Sequence, residues 1–270
     1  MKLKIRHSTI YSYDAPGGLL VQRFHLTPLS GPTQTVLDWS VEAPGMDKAL
    51  RYTDAFGNEV HLVTTILDEA DVEVIAQGTV ETRDTAGVVG ADAGHVPLGA
   101  YLSQTPVTLD NAAIRTLARR HEGSQGLAQL HDLMGEVRDA IDYEIGASHA
   151  HTTAAEALKD GAGVCQDHAH VFISAARVLG IPARYVSGYM ATAPGEVAEA
   201  SHAWAEAHVP DLGWVGFDVA NRVCPDDRYV RVAVAMDAGG ARPVKGIRRG
   251  LGQAGEHLRV EVLVDPAGEQ

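Results

Sequence analysis

The sequence predicts an α+β protein: an antiparallel β-sandwich over residues 1–105, then helices packed on an antiparallel sheet over residues 106–270. Three observations carry that expectation. The first hundred residues break into short runs rich in Val, Ile and Thr, separated by turn signals. From residue 109 to 179 apolar residues recur at spacings of three and four. Beyond 183, strand-like runs follow one another with no helix between them, the order expected of an antiparallel sheet.

The N-terminal strands are read from "KLKIRH", "VLDWSV", "NEVHLVTTIL" and "DVEVIAQGTVET". Alternation is clearest where Val72, Val74 and Ala76 oppose Glu73 and Gln77. The Gly- and Ala-rich stretch 84–108 reads as a connection with room for a short helix. Four helices follow. Asp110 is a candidate N-cap for "NAAIRTLARRH", and "GLAQLHDLMGEVRDAIDY" is the second. "TTAAEALKDG" is capped by Thr152 or Thr153 and stopped by Gly161, and the fourth runs from Cys165 to Leu179, stopped by Gly180 and Pro182. "ARYVSGYM", "SHAWAEAHV", "GWVGFDVA", "RYVRVAV" and "HLRVEVLV" are the later strands, the last two forming a C-terminal β extension of the second domain.

Composition narrows the function. The 270 residues include 45% hydrophobic and 21% charged residues, so the chain is globular and large enough to need no disulfide or metal staple. A net charge of −13 disfavours nucleic acid and anionic membrane surfaces as partners. No apolar run approaches the length of a membrane helix, and "MKLKIRHSTIYSY" lacks the apolar core of a signal peptide. Two cysteines make no disulfide framework, so a reducing cytoplasm with free thiols is expected.

Chemistry enters at "GVCQDHAHVF", residues 163–172. Cys165 begins the fourth helix, on the stripe 165, 169, 172, 176 and 179. Unpaired N–H groups and the helix dipole favour a thiolate there, although a small buried hydrophobe is the ordinary fate of a free cysteine. Alternation in "SHAWAEAHV" places His202, Trp204, Glu206 and His208 on one face, with Ala203, Ala205, Ala207 and Val209 on the buried one. "GWVGFDVA" alternates likewise, and the short "PDLG" joins the two runs as an antiparallel pair. The register expected sets His202 opposite Asp218, Trp204 opposite Gly216 and Glu206 opposite Trp214. Cys165, His202 and Asp218 then supply a nucleophile, a base and an orienting carboxylate, provided the helix packs across the sheet.

Those stretches resemble the transglutaminase-like superfamily of papain-related cysteine enzymes. G-x-C opens a helix, "GIPARYVSGY" follows it, and "HAW" and "GWVGFD" come in order over residues 130–222. The N-terminal β region and "YVRVAVAMDAGGARPVKGIRRG" resemble the flanks of the bacterial subgroup. The resemblance implies a papain-like fold, with Cys165 as nucleophile, His202 as base and Asp218 as orienting acid. It also implies acyl transfer through a thioester, with hydrolysis of peptide or side-chain amides first and transglutamination second. A non-catalytic binding module is the reading from a different class. Similar sequences carry Asp-Pro-Thr-Asn where this chain has Asp218-Val219-Ala220-Asn221, which bears on the geometry of that turn. The expected partner is a protein or peptide substrate.

Accessory residues keep two readings each. Gln166 either polarises the carbonyl or only starts the helix; Tyr143 either faces an oxyanion or packs; Trp204 and Trp214 either wall the cleft or fill the core. Asp167 complements the helix N-terminus. His168, with His149, His151, His170 and His208, fits no standard zinc spacing, and "PDD" at 225–227 is too little for calcium, so no metal or cofactor is expected. Cys224 lies in a turn without a nearby base, and "RGLGQAG" lacks the strand and helix of a phosphate loop. Gly163 is expected to allow a tight entry into the helix that leaves the sulfur open.

Overall fold

The computed structural model describes residues 1–14, 17–91, 94–193, 195–249 and 256–267; the "RGLGQAG" glycines at 250, 252 and 255 lie outside them. Six strands come first: β1 (Lys2–Tyr13), β2 (Leu19–Thr27), β3 (Gln34–Glu42), β4 (Leu50–Thr53), β5 (Glu59–Ile66) and β6 (Asp71–Thr82). Along β1 the even positions Lys2, Lys4 and Arg6 face water, while Leu3, Ile5, Tyr11 and Tyr13 are buried. The period of two written in "KLKIRH" thus extends over twelve residues. Strand β2, "LLVQRFHLT", escapes a hydrophobic reading because Gln22 alternates with Leu20, Phe24 and Leu26 on its buried face.

The following elements are β7 (Val88–Gly90), α1 (Ala112–Arg119), α2 (Gly126–Ala140), β8 (Asp142–Tyr143), α3 (Ala154–Asp160), β9 (Ala162–Gly163) and α4 (Cys165–Val178). Then come β10 (Ala183–Met190), β11 (Val197–Ala198), β12 (His202–Val209), β13 (Gly213–Phe217), β14 (Tyr229–Ala235), α5 (Ala238–Ala241), β15 (Val244–Arg249) and β16 (Glu256–Pro266). Asn111, not Asp110, caps α1: its side chain accepts the Ile114 N–H at 2.9 Å, and Asp110 pairs with Arg115. Thr153 caps α3 in a reciprocal box with Glu156, and Gly161 ends it in the left-handed conformation at φ 69°.

Two sheets form the β-sandwich, in the orders β11-β16-β1-β6-β3 and β15-β2-β5-β4, all antiparallel. Tyr11, Val72 and Val74 meet Leu20, Phe24 and Val63 between them. Of the two closing strands read from the sequence, "RYVRVAV" is β14 and joins the second sheet as expected, whereas "HLRVEVLV" is β16 and, like the unread strand β15, leaves the second unit. Strand β16 pairs with β1 along its length and β15 pairs with β2. Their alternating apolar positions, Val244 and then Val262 and Val264, bury against those N-terminal strands. The chain therefore leaves the first unit, builds the second and returns to complete the first.

The second unit is the antiparallel sheet β14-β10-β12-β13-β7 covered by helices. Helix α4 lies across β12, its Ala169, Phe172 and Ala176 in one core with Ala203, Ala205 and Ala207. Small residues on both surfaces let helix and strand approach closely. The inward stripe read from the sequence is only part of the burial: Val171, Ile173 and Ala175 are also buried, with α1, α2 and α3 around the helix. Burial on both sides is true of β12 as well. The Trp204 and Glu206 face, for which wall of a cleft and core packing were both open, is covered. Leu3, Ile5 and Val80 of the sandwich pack on Tyr189, Val230 and Val232, so the two units share a core. No described helix is long and apolar enough to cross a membrane.

Candidate active site

Helix α4 presents Cys165 at its first turn. Asp167 turns back, and its Oδ2 accepts the Val164 N–H at 2.8 Å; the N–H groups of Asp167 and His168 go to the Val164 carbonyl. Those of Cys165 and Gln166 have no partner among the described residues. Gly163 serves this cap. A Cβ there would lie 2.7 Å from both Cβ and Oδ2 of Asp167, so the glycine makes room for the capping carboxylate as well as for the chain's entry. Gly163→Ala is therefore expected to displace Asp167, cost about 1–3 kcal/mol and slow alkylation of Cys165. Thermal unfolding and a timed reaction with iodoacetamide check both effects.

His202 begins β12 and Asp218 follows β13. The observed pairing runs from Ala205 opposite Phe217 to Val209 opposite Gly213, which sets Glu206 opposite Gly216 and His208 opposite Trp214. The expected register is thus wrong by two residues, although a shift of two keeps every side chain on its face. The cause is the turn. Leu212 donates its N–H to the Val209 carbonyl at 3.2 Å, with Pro210 in the second position and Asp211 at φ 68° in the third. Proline's fixed φ and missing N–H suit that second position, and they centre the loop one residue later than the sequence reading placed it.

His202 and Asp218 meet nonetheless. Nε2 of His202 donates to Oδ2 of Asp218 at 2.6 Å, with the two side chains 13% and 1% exposed. Burial by itself lowers the pKa of His202. The hydrogen bonds to Asp218 and Cys165 and the charges of both outweigh it and raise the pKa to about 10. With Nε2 occupied, Nδ1 is the donor left for the sulfur. Burial likewise pushes Asp218 up, but His202, Asn221 and Tyr229 hold it below the ordinary carboxylate range. Asn221 Nδ2 and the Tyr229 hydroxyl donate to Oδ2, both at 2.8 Å. The Asp218-Val219-Ala220-Asn221 turn closes through paired backbone bonds between Asp218 and Val223, so Val219 and Ala220 do not disturb the carboxylate.

Asn221 and Tyr229 were not singled out in the sequence. Asn221 was visible as the last residue of the variant turn, whereas Tyr229 lies on β14, which only the folded sheet brings beside β10. Tyr143 is half-exposed and stacks on His168 at 6.2 Å; burial, then the charges of Cys165 and Asp218, raise its pKa. Gln166 lines a cavity beside the cysteine. Trp204 is buried and borders a small cavity with Glu206, Gly216 and Tyr229. It packs edge-on to Tyr229 at 5.6 Å and fills space that a Cβ at Gly188 would occupy.

Trp214 is also buried, with the Arg184 guanidinium 3.7 Å above its ring. His168 faces the carbonyls of Val164 and Ile141, and His170 accepts the Ala238 N–H, burial driving its pKa down to about 4. Among the described residues no three His, Cys, Asp or Glu groups converge as metal ligands. Burial pushes the Cys224 thiol up.

This arrangement, a cysteine at a buried helix start beside a histidine strand of an antiparallel sheet, is the plan of a cysteine-enzyme fold. The family model of the transglutaminase-like superfamily matches residues 115–219, and that of the bacterial transglutaminase-like N-terminal region matches residues 3–81. An uncharacterized protein of Mycobacterium leprae (strain TN) is 30% identical over 281 residues, covering 97% of this chain and 98% of its own. An uncharacterized protein of Mycobacterium tuberculosis (strain ATCC 25618 / H37Rv) is 34% identical over 146 residues, covering 50% of this chain and 46% of its own. A solved structure of a candidate cysteine protease from Cytophaga hutchinsonii superposes with a TM-score of 0.76 at 23% identity, covering 100% of this chain and 92% of that one. That last likeness concerns the fold. The chain belongs to the transglutaminase-like superfamily.

Proposed function

We propose that this protein is a cysteine-dependent acyltransfer enzyme that hydrolyses peptide or side-chain amide bonds, with Cys165, His202 and Asp218 as its triad. The observation that carries this reading is the His202–Asp218 bond of 2.6 Å beside a cysteine at a helix start. A cationic imidazole next to the sulfur favours the anionic, nucleophilic form of a thiol. Cys165 Sγ attacks the carbonyl carbon, and its electron pair forms the S–C bond. The N–H groups of Cys165 and Gln166 stand where they can receive the developing oxyanion. Collapse breaks the C–N bond, and His202 gives its proton to the departing amine. Water then attacks the thioester, His202 takes the water's proton, and the thiolate leaves. Asp218, held by Asn221 and Tyr229, orients the ring and balances its charge. A reducing compartment keeps both thiols free, and the cytoplasm is the setting we assign.

Glutamine-bearing peptides offered with and without a primary amine test the reaction. Release of ammonia or amine without incorporation of the added amine is the expected result. Incorporation would assign transglutamination instead. Failure of Cys165 to form an acyl-enzyme with any amide or activated ester would leave only the binding-module reading.

A further inference from the structure

Beside Cys165 and His202 a cavity of about 520 Å³ lies between the second unit and the sandwich. Gln166 and Ser201, the neighbours of the two site residues, form one wall; β1, β2, β15 and β16 form the other. Its lining includes Arg242, Lys245 and Arg248 and no aspartate or glutamate among the described residues. In a chain of net charge −13, three cations around one cavity without a lining carboxylate are a local inversion of sign. Arg248 is engaged by the Gly17 carbonyl and lies over the Tyr13 ring at 4.8 Å. Arg242 and Lys245 have no ion pair among the described residues.

A second observation points to a ligand. Gln22 is only 2% exposed and lines the same cavity, yet its side-chain amide has no hydrogen-bond partner among the described residues. The amide is not among the buried unpaired groups, so its polar end opens to the cavity while the rest of the side chain is covered. His7, by contrast, is fully engaged by Tyr189 and Thr9, and burial brings its pKa down to about 4, so it adds no charge there. An open amide donor and two cations without counter-ions suit a carboxylate.

We infer that the cavity is the acyl-donor subsite and that it selects a peptide bearing a carboxylate next to the scissile amide, held by Arg242 and Lys245 with Gln22 as a neutral donor. This rests on the acyltransfer reading above and names its substrate class. It also gives the sandwich a role: β15, which carries Lys245, is held in place by pairing with β2.

The test is the rate of Cys165 alkylation by four reagents: N-iodoacetyl-glutamate, N-iodoacetyl-glutamine, and the α-amide of each. Free α-carboxylate and side-chain carboxylate are thereby separated. The wild-type protein is expected to prefer at least one of the three carboxylate-bearing reagents over the neutral glutamine amide by roughly tenfold or more. Arg242→Ala and Lys245→Ala should each reduce that preference, slowing the carboxylate-bearing reagents more than the neutral one. Lys245 is exposed, so its variant keeps the fold if Arg242→Ala does not. Absence of preference, or a preference that survives both substitutions and so belongs to the His202 imidazolium, overturns the inference while the acyltransfer reading stands. Slow reaction of Cys165 with the neutral reagent would instead bring down the acyltransfer reading, and the subsite with it.

Discussion

His202→Ala is expected to lower the rate of acyl-enzyme formation by about 10³–10⁴-fold with little loss of fold. The ring starts β12 at the edge of the core, and the strand's packing is carried by Ala203, Ala205 and Ala207. What the variant loses is the proton donor for the leaving amine and the positive charge beside the sulfur. Stopped-flow measurement of acylation by an activated ester and by an amide separates these two losses. An ester leaving group needs no proton, so the ester should suffer less. The pH dependence follows from the same pair. The folded pKa of His202, about 10, stands above its ordinary 6.5. Its contribution to stability is therefore complete below about pH 6.5 and is lost as pH rises through about 10. Amide turnover should fall over the upper part of that window because the imidazolium is consumed, and His202→Ala should show no such limb.

Glu206→Gln should produce the largest loss of stability, about 3–5 kcal/mol. Glu206 and Arg184 are both fully buried on the covered face of the second sheet. Arg184 Nε donates to Glu206 Oε2 at 2.7 Å, and Arg231 Nε donates to Oε1 at 2.7 Å. One carboxylate thus serves two guanidinium groups, and its removal leaves Arg184 uncompensated between Trp214 and the strand. Burial raises the pKa of Glu206, but Arg184 and then Arg231 outweigh it and bring it to about 2. The depressed pKa gives the sign: this stabilisation is present above about pH 4.5 and is lost as pH falls through about 2. Urea unfolding of wild type and variant at pH 7 and pH 3 measures it. The wild-type advantage should be clear at both values. Equal stability at pH 7 would mean that the triad of charges contributes nothing net.

How far the sequence was readable depends on the range of the interaction. Helix α4 and its stop at Gly180 were legible because caps and turns act within a few residues, and the faces of β12 and β13 were legible from period two. The strand register was not. It depends on how Val209–Leu212 turns, and two registers with identical face patterns differ only there. The burial of Glu206 was not legible because its partners, Arg184 and Arg231, come from β10 and β14, two different strands. Strand β16 was recognisable as a strand and β15 was not, and nothing local said that they return to β1 and β2. For the same reason the cations at 242, 245 and 248 gained meaning only once the fold set them near Gln166 and Ser201.

The chain has two cysteines, and that makes the central claim directly measurable. Cys165 sits at a helix start beside His202, whereas burial raises the pKa of Cys224. With limiting iodoacetamide at pH 6, where an ordinary thiol near pKa 8.5 is almost wholly protonated, peptide mass spectrometry reads both labelling rates in one sample. Cys165 is expected to label much faster than Cys224, with the advantage abolished by His202→Ala and reduced by Asp218→Asn. Equal labelling of the two thiols, or a Cys165 rate indifferent to His202→Ala, would contradict the account.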